Sequence, residues 1–312
     1  MNRIKDYSKL ENHIVKWMNR YLSDSGMKGW VLGVSGGLDS AVASTLAAKT
    51  GAPVMVLEMP IKQGKKQVSR GKDHIEWLKK NFDNVDSREI DLDINCSFDS
   101  VNYLNHSVFD LLIKQVNGAL DIVEDTEIAN LAEANSRSRL RMLMLYYTGT
   151  ITSSLVLGTG NKVEDFGVGF YTKYGDGGVD LSPLGDLYKT EVRELGKHMK
   201  ILDSIITCKP TDGLWDDDRS DEDQLGATYE NFEWAMEFIW GEGSELHSDA
   251  HEKKKIHKIY DFNYIKDSCG EEKVNALKIL IKRYNANNHK MVDIPIYEVP
   301  KNNLQSTENL FV

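Results

Sequence analysis

The chain has 312 residues, of which 41% are hydrophobic and 28% are charged, as is typical of a globular protein. Its formal net charge is −10, which argues against nucleic-acid binding, because that function needs a basic surface. No apolar stretch approaches the length of about 18 residues that a membrane span requires, and the N-terminus lacks the apolar core of a signal peptide. The three cysteines lie far apart without CxxC spacing, which indicates reduced thiols rather than a zinc site. We therefore expect a cytoplasmic protein with neither nucleic-acid nor membrane partners.

Short apolar runs alternate with helical stretches along the first half of the chain. Apolar residues between Leu10 and Leu22 recur at helical spacing and predict an opening helix. The segments predicted after it are strand Trp30–Val34, helix Ser40–Thr50, strand Pro53–Leu57, helix Val68–Lys80, strand Arg88–Leu92, helices Phe98–Val116 and Thr126–Tyr147, and strand Ser154–Gly158. Strands separated by helices indicate βαβ units and a parallel sheet.

The pattern is mostly helical beyond Leu187. We therefore predict an α/β fold, with a Rossmann-like parallel sheet flanked by helices on both faces and a helical C-terminal extension. The dense acidic stretch Asp216–Asp223 is predicted to be a solvated loop, and the polar segment Lys301–Val312 a mobile tail. Since no linker rich in Pro, Gly or Ser is evident, residues 1–312 are interpreted as one domain.

The segment Ser35-Gly36-Gly37-Leu38-Asp39-Ser40 joins the first predicted strand to the next helix. Its glycines would let the backbone approach an anion closely, and a helix N-terminus offers unpaired N–H groups with a favourable dipole. The serine hydroxyls add donors, and Asp39 could hold a magnesium ion on the phosphates. An ordinary strand–helix turn would look the same, so this segment alone leaves both interpretations open.

Three later segments carry further candidate groups. The predicted helix over Asn135–Met142 places Arg137 and Arg141 on one face and Arg139 elsewhere, as either carboxylate and phosphate ligands or a solvated basic face. Gly158–Asp165 follows a strand and supplies carboxylates that could join Asp39 on magnesium or cap a surface helix. Phe170–Asp180 combines glycines, aspartates and Lys173 between aromatic residues. This composition suits a loop that closes over a ligand, and a simple surface turn stays open as the alternative.

Taken together, these segments resemble the NAD synthetases of the ATP pyrophosphatase family. The phosphate loop is similar to the family's SGGxDS segment and, having no Lys after its glycines, is not a Walker A sequence. The other matching segments occur in the family's order: NxxxRxRM at Asn135–Met142, GTxxxxE at Gly158–Glu164, YTKYGDGGxD at Tyr171–Asp180, the Pro210–Thr211 turn, the DE–LG–Y segment from Asp221 to Tyr229, and His289-Lys290. The resemblance extends from about Val31 to Lys290, and the YTKYGDGG stretch is highly specific.

This resemblance implies ATP-dependent amidation of deamido-NAD with ammonia, through an acyl adenylate and with release of AMP and pyrophosphate. It implies Mg²⁺ as cofactor, with Asp39 and Glu164 as its ligands, and ATP as co-substrate. Catalytic roles are expected for Asp176, as a base for ammonium, and for Lys173. The residues expected to bind the nucleotides are Ser35, Gly36, Gly37, Ser40, Arg139, Arg141, Thr159, Lys173, Asp180, Lys189, Thr211, His289 and Lys290.

The resemblance also implies a homodimer with deamido-NAD bound near the subunit interface, for which the two long apolar helices from Phe98 to Tyr147 are candidates. Glutamine-dependent relatives carry an additional amidohydrolase domain, and with only about thirty residues before the phosphate loop we expect free ammonia, or ammonia from a separate partner, as the nitrogen source. The departures from the family pattern are Met291 where Arg is frequent, Asp212-Gly213 after Thr211, a loose match at Met59–Gln63, and an apparent insertion around Trp240–Asn263.

Other functions fit the residues less well. A tRNA-modifying relative should have a basic surface, a thiolating relative usually needs catalytic cysteines, and a Rossmann dehydrogenase needs a complete GxGxxG, which does not occur here. Another AMP-forming amide ligase with a different carboxylate, or a non-catalytic nucleotide-binding relative, stays open as the alternative.

Overall fold

A computed structural model of the chain describes residues 3–61, 65–90, 92, 108–120, 126–211, 220–241, 255–257 and 260–297. The strands are β1 Gly29–Gly33, β2 Val54–Glu58, β3 Val85–Glu89 and β4 Ser154–Val156. The helices are α1 Tyr7–Ser25, α2 Leu38–Lys49, α3 Lys65–Asn81, α4 Val108–Ala119, α5 Glu127–Thr152, α6 Lys189–His198, α7 Asp203–Ile206, α8 Asp221–Leu225, α9 Tyr229–Trp240, α10 Phe262–Cys269 and α11 Glu271–Met291. A short π-helix, Lys162–Val168, lies between β4 and α6.

The four strands form one parallel sheet in the order β3-β2-β1-β4. The register places Trp30 opposite Val54 on β2 and opposite Leu155 on β4. Because all four strands are parallel, the loops that follow them lie at the same end of the sheet. The chain passes from β1 to β2 and β3 on one side and then returns to the other side of β1 with β4, so the loops after β1 and β4 are neighbours there. The predicted parallel sheet is confirmed.

Side chains alternate between the two faces of the sheet, and helices cover both faces. Trp30 and Leu32 point into the main core, which α1, α2, α3 and α6 complete, whereas Val31 and Val156 point into a smaller core against α5. Sheets buried on both faces carry such continuous apolar strands. The predicted two-sided arrangement of helices is therefore confirmed.

A third apolar cluster lies in the C-terminal half, where α9 and α11 pack together with the π-helix. Phe232 on α9 and Leu277 and Leu280 on α11 are fully buried, and Val163 and Val168 join them from the π-helix. The helical C-terminal extension is thus confirmed, and its core is continuous with the segment that carries Glu164.

Two predicted boundaries are wrong. β3 covers Val85–Glu89 and not Arg88–Leu92, because this edge strand is mostly polar and the apolar Ile90 and Leu92 pack beneath the sheet after the strand has ended. Helix α5 continues past Tyr147 to Thr152, since packing against β1 and β4 overrides the weak helix propensity of the segment TGTIT. Of the predicted helix Phe98–Val116, residues 98–107 lie outside the described residues, and α4 covers the rest.

The prediction of a solvated acidic loop is wrong for its last residues. Ser220 and Asp223 form a reciprocal capping box that starts α8, and Asp221 is buried in its first turn. Residues 212–219 and the predicted mobile tail lie outside the described residues. Within the part of the chain that the structure describes, no helix is long and apolar enough to cross a membrane.

A buried histidine joins the two helices that follow β1 and β2. His74 on α3 is fully buried, and its Nε2 lies 3.0 Å from the Oγ of Ser44 on α2. Burial lowers the pKa of His74 from 6.5 to about 4, because the imidazolium would lose its hydration. The folded state therefore keeps this side chain neutral where the unfolded chain would protonate it.

We expect His74 to make folding sensitive to acid. Between pH 6.5 and 4 the unfolded state binds more protons at this position, so the free energy of unfolding should fall as the pH is lowered through that window, by about 3 kcal/mol in full. Urea unfolding of the wild type and of His74→Gln at several pH values measures this, and the variant should lose less stability over the window. His13→Gln, at an exposed position on α1, should behave as the wild type; equal pH dependence of His74→Gln and wild type would contradict the assignment.

Candidate functional site

The candidate site is a cavity of about 540 Å³ at the carboxyl end of the sheet. Its walls come from the ends of β1, β2 and β4, the N-terminus of α2, the middle of α5, and the segments 169–176 and 208–211. The predicted residues that line it are Ser35, Gly37, Asp39, Ser40, Arg141, Thr159, Glu164, Asp176, Lys189, Thr211 and Lys290. Segments up to 250 residues apart in the sequence thus meet at one opening, where parallel sheets place ligands.

The phosphate loop is held open by its own hydrogen bonds and by α3. Gly36 has φ +80°, and a Cβ there would lie 2.3 Å from the Gln67 carbonyl oxygen and 2.8 Å from the Gly71 amide nitrogen. No other residue fits, because both the conformation and the contact with α3 exclude a side chain. The Ser40 hydroxyl accepts from the Ser35 amide at 3.2 Å and donates to the Gly37 carbonyl at 3.1 Å. The N-terminus of α2 therefore faces the cavity in a fixed geometry.

The two predicted magnesium ligands share one cation. The Lys189 ammonium, at the start of α6, donates to Oδ2 of Asp39 and, at 2.9 Å, to Oε1 of Glu164. The Tyr229 hydroxyl donates to the same Glu164 oxygen at 2.6 Å and lies 3.3 Å from Asp221 Oδ2. This carboxylate–lysine cluster joins α2, the π-helix, α6, α8 and α9.

Electrostatics in the cluster follow from burial and from the shared ammonium. Burial, together with the nearby Glu164 carboxylate, raises the pKa of Asp39 to about 6 against the attraction of Lys189. Burial alone would also raise the pKa of Glu164. The Lys189 ammonium and the Tyr229 hydroxyl outweigh burial and lower the pKa of Glu164 below its ordinary value. Burial opposes the charge of Lys189, and the two carboxylates nevertheless raise the pKa of this ammonium. The cluster is therefore held together by a charged lysine.

The π-helix presents Glu164 to the cavity. The Asn161 side chain is fully buried, and its Oδ1 accepts from the amides of Val163 and Glu164 at 3.1 and 3.2 Å. Asp165 follows Glu164 on the cavity wall, where burial and neighbouring carboxylates raise the pKa of Asp165 well above its ordinary value. Single π-helical turns are frequent at functional sites because they redirect side chains that an α-helix would space differently.

The donor set fits magnesium. Oδ1 of Asp39 is buried and accepts no hydrogen bond from the described residues, so this carboxylate oxygen has the capacity for one more ligand. Among those residues, no group of three or more His, Cys, Asp or Glu could hold a metal ion by itself. Magnesium typically takes one or two carboxylates and completes its shell with water and substrate phosphates, which is what Asp39 and Glu164 beside a phosphate loop would supply.

The segment Tyr171–Asp180 is fixed against α5 and α11. Oδ1 of Asp176 accepts from the Ser138 hydroxyl at 2.8 Å and from the Thr172 amide at 2.9 Å. Desolvation by the surrounding walls raises the pKa of Asp176, although both donors oppose the shift. Lys290 on α11 donates to the carbonyls of Gly169 and Tyr171 at 2.5 and 2.8 Å. The Asp176 carboxylate is thus positioned in the cavity by its own loop.

Five predicted site residues do not line the cavity: Gly36, Arg139, Lys173, Asp180 and His289. Lys173 donates to the His289 carbonyl at 3.0 Å, and Arg139 donates to the Lys173 carbonyl at 3.2 Å, so these three form a group outside it. Asp180 accepts from the Val156 amide at 2.7 Å and from the Tyr146 hydroxyl at 3.1 Å. Its carboxylate therefore secures the end of β4, and its predicted role in nucleotide binding stays a prediction.

Several cavity residues were not predicted. Gln67, Arg70 and Arg283 also line the cavity, and no short motif surrounds them in the sequence. Asp165 lines it too, at the end of the Gly158–Asp165 segment, although no role was assigned to it. Tyr229 and Asp221 had a signal, because both fall in the DE–LG–Y segment, but only the fold shows that they contact Glu164 and each other.

The similarity of the chain to known proteins agrees with this site. Residues 10–269 match the family model described as NAD synthase. The chain belongs to the NAD synthase family. It is 35% identical over 244 residues to the NH(3)-dependent NAD(+) synthetase of Methanococcoides burtonii, covering 77% of this chain and 83% of that protein. The enzyme of the same description from Methanosarcina acetivorans is 30% identical over 295 residues, or 94% and 99% of the two chains.

Solved structures of the family share the fold. The NMN synthetase of Francisella tularensis superposes with a TM-score of 0.66 at 25% identity, over 96% of this chain and all of that one. The NH3-dependent NAD synthetase of Campylobacter jejuni gives a TM-score of 0.63 at 23% identity over 94% of this chain, which shows the fold alone. Among the departures noted in the sequence, Met291 is buried in the C-terminal core, where its Cε packs against Gly169. Asp212-Gly213 and most of the Trp240–Asn263 segment lie outside the described residues.

Loss of the shared lysine should destabilise the protein and make it depend on a divalent cation. Lys189→Met would leave two buried carboxylates without a counter-charge, at a cost of about 3–5 kcal/mol. Magnesium binding to those carboxylates would restore part of the lost stability, so Mg²⁺ should raise the melting temperature of the variant more than that of the wild type.

Thermal unfolding with Mg²⁺ and with EDTA measures this difference. Lys197→Met is the matched control, because Lys197 is exposed on the same helix and pairs only with Glu194. If Mg²⁺ shifts Lys189→Met and the wild type equally, the carboxylates are not a cation site.

Proposed function

We propose that this chain is an ammonia-dependent NAD synthetase, which amidates the nicotinate carboxylate of deamido-NAD with ATP and ammonia and yields NAD, AMP and pyrophosphate. One observation carries the proposal: segments that match this family in order meet around a single cavity, with a phosphate loop on one side and two carboxylates on a shared cation beside it. The relatives at 30–35% identity are themselves described as NH(3)-dependent NAD(+) synthetases.

The first step brings a carboxylate to the α-phosphorus of a triphosphate, and its difficulty is the repulsion of negative charges. The phosphate loop, with the amides at the N-terminus of α2 and the hydroxyls of Ser35 and Ser40, would bind the phosphates. Asp39 and Glu164 would hold Mg²⁺, which neutralises phosphate charge when bound. Lys189 lines the same cavity, and its positive charge would also favour the binding of the phosphates.

The second step needs neutral ammonia, whereas most ammonia is protonated at neutral pH. Asp176 is the proposed base, since its carboxylate lies in the cavity, held by Ser138 and Thr172. A raised pKa brings a carboxylate closer to the operating pH and improves it as a proton acceptor. No covalent enzyme intermediate is required, because the acyl adenylate is already activated.

The remaining predicted roles stay predictions. Arg141 lines the cavity while its Nε donates to the Met59 carbonyl at 3.0 Å and its Nη2 to the Ile61 carbonyl at 3.4 Å, and we propose that its positive charge attracts the nucleotide. Thr159, Thr211 and Lys290 would act from the cavity wall. Lys173, Arg139 and His289 would act from their group at its rim. A single domain over 1–312 and a cytoplasmic location are proposed on the same family grounds.

An assay of amide formation tests the proposal. With ATP, Mg²⁺ and deamido-NAD, ammonium should give NAD and stoichiometric AMP and pyrophosphate, and glutamine should not replace it. Since the Francisella structure is described as an NMN synthetase, nicotinic acid mononucleotide is assayed as a competing acceptor. Glu164→Gln should lower kcat at least about 100-fold, because one metal ligand and its charge are lost, and Glu194→Gln on the exposed side of α6 should not.

The outcomes separate the alternatives. If ATP is cleaved with nicotinic acid mononucleotide and not with deamido-NAD, the acceptor is the mononucleotide and the proposed adenylation of a nicotinate carboxylate is retained. Binding of ATP without cleavage in the presence of any nicotinate carboxylate would favour a non-catalytic relative. NAD formation with ammonium alone is the result that we expect.

We also propose that two copies of the chain associate through α5 and α1. Leu143, Tyr147 and Ile151 recur every four residues on α5 and are more than half exposed. Trp17 and Tyr21 are exposed on α1, and Asp180 connects the helices, since it contacts Tyr21 through its carbonyl and Tyr146 through its carboxylate. A contiguous exposed apolar surface of this kind is typical of an interface.

A charge on this surface should dissociate the dimer. Tyr147→Glu would bury a carboxylate in an apolar interface, so analytical ultracentrifugation should show a monomer at concentrations where the wild type is a dimer. Tyr264→Glu is the matched control, because Tyr264 is equally exposed on α10 and lies outside the proposed surface. A wild type that sediments as a monomer, or a Tyr147→Glu variant that stays dimeric, would contradict the proposal.

A further inference from the structure

One arginine beside the phosphate loop has no assigned role. Arg70 lies on α3, lines the cavity, and donates from Nε to the Gly36 carbonyl at 3.3 Å. No other hydrogen bond or ion pair holds its guanidinium within the described part of the chain. Four of the five other Lys and Arg residues that line the cavity are already engaged: Lys189 by two carboxylates, and Lys290, Arg141 and Arg283 by carbonyls.

Backbone packing fixes the position of Arg70. The Gln67 carbonyl and the Gly71 amide approach Gly36 so closely that no Cβ would fit between them. The second turn of α3 therefore packs against the phosphate loop. Arg70 precedes Gly71, and its hydrogen bond to the Gly36 carbonyl places its guanidinium beside the loop. Gln67, one turn earlier, is buried and lines the cavity on the same side.

The charge of Arg70 suits an anion at the loop. A guanidinium stays protonated at any physiological pH and offers five N–H donors in a planar fork that matches phosphate oxygens. With Nε on the Gly36 carbonyl, the terminal nitrogens remain for a ligand. The adjacent N-terminus of α2 attracts the same kind of ligand through its amides, so two independent features converge on one location.

We propose that Arg70 is a pyrophosphate-binding residue, which contacts the β- and γ-phosphates of ATP and the pyrophosphate that leaves. This inference rests on the proposed function in that ATP is cleaved between its α- and β-phosphates. Arg70 would stabilise the pyrophosphate as negative charge accumulates on it.

Equilibrium binding separates the phosphates that Arg70 contacts. Isothermal titration with pyrophosphate, ATP and AMP is compared for the wild type, Arg70→Gln and Arg70→Lys in the presence of Mg²⁺. Loss of a hydrogen bond to a charged group predicts about 10- to 100-fold weaker binding of pyrophosphate and ATP to Arg70→Gln. Arg70→Lys keeps the charge but not the fork and should lie between that variant and the wild type. AMP, which lacks the β- and γ-phosphates, should bind all three within about twofold.

Arg20→Gln is the matched control, because it removes one positive charge at an exposed position on α1 and should not change any affinity. Equal pyrophosphate affinity for Arg70→Gln and the wild type overturns the proposal, and so does a parallel loss of AMP affinity, which would make Arg70 a residue that only positions the loop. The assay of NAD formation is read separately: weaker pyrophosphate binding to Arg70→Gln with no amidation by the wild type keeps the role of Arg70 and rejects the proposed function. A wild type that binds neither ATP nor pyrophosphate rejects both.

Discussion

The site depends on one buried lysine. Lys189, the first residue of α6, places its ammonium between Asp39 and Glu164, which lie 125 residues apart in the sequence. Without that charge the two carboxylates could not both be buried and ionised near each other, because desolvation and mutual repulsion would neutralise one of them. The lysine therefore permits an acidic pair to exist at the base of the cavity before any ligand arrives.

The elements around the cluster are arranged to keep that pair in place. Asn161 caps the π-helix and orients Glu164. The hydroxyl of Tyr229, on α9, donates to the Glu164 oxygen that Lys189 also contacts. Because α9 and α11 form a core with the π-helix, the C-terminal helices support the side of the cavity that carries Glu164, whereas α2 and α3 support the side that carries the phosphate loop. The two halves meet at the Lys189 ion pairs.

The features that could be predicted are those that local sequence patterns determine. The βαβ alternation and the phosphate loop could be inferred because Gly36 and its neighbours combine a turn signal with an apolar strand before it. The pairing of Lys189 with Asp39 could not be inferred, because the two residues lie 150 positions apart in the sequence and no local pattern connects them. Asp221 was misjudged because a capping box inside an acidic run resembles a solvated loop, and Arg70 was missed because its significance comes only from the contact of α3 with Gly36.

The distribution of charge explains how an acidic protein can bind anionic substrates. Although the chain carries a net charge of −10, the cavity is lined by six Lys and Arg residues and five Asp and Glu residues. These formal charges nearly cancel, so the cavity is close to neutral before ligands bind. A triphosphate and a dinucleotide would add several negative charges to it. The protein cations alone do not balance such a load. Binding both substrates would therefore be favoured by the cation that Asp39 and Glu164 are proposed to hold, together with the Arg70 guanidinium, which has no carboxylate partner among the described residues.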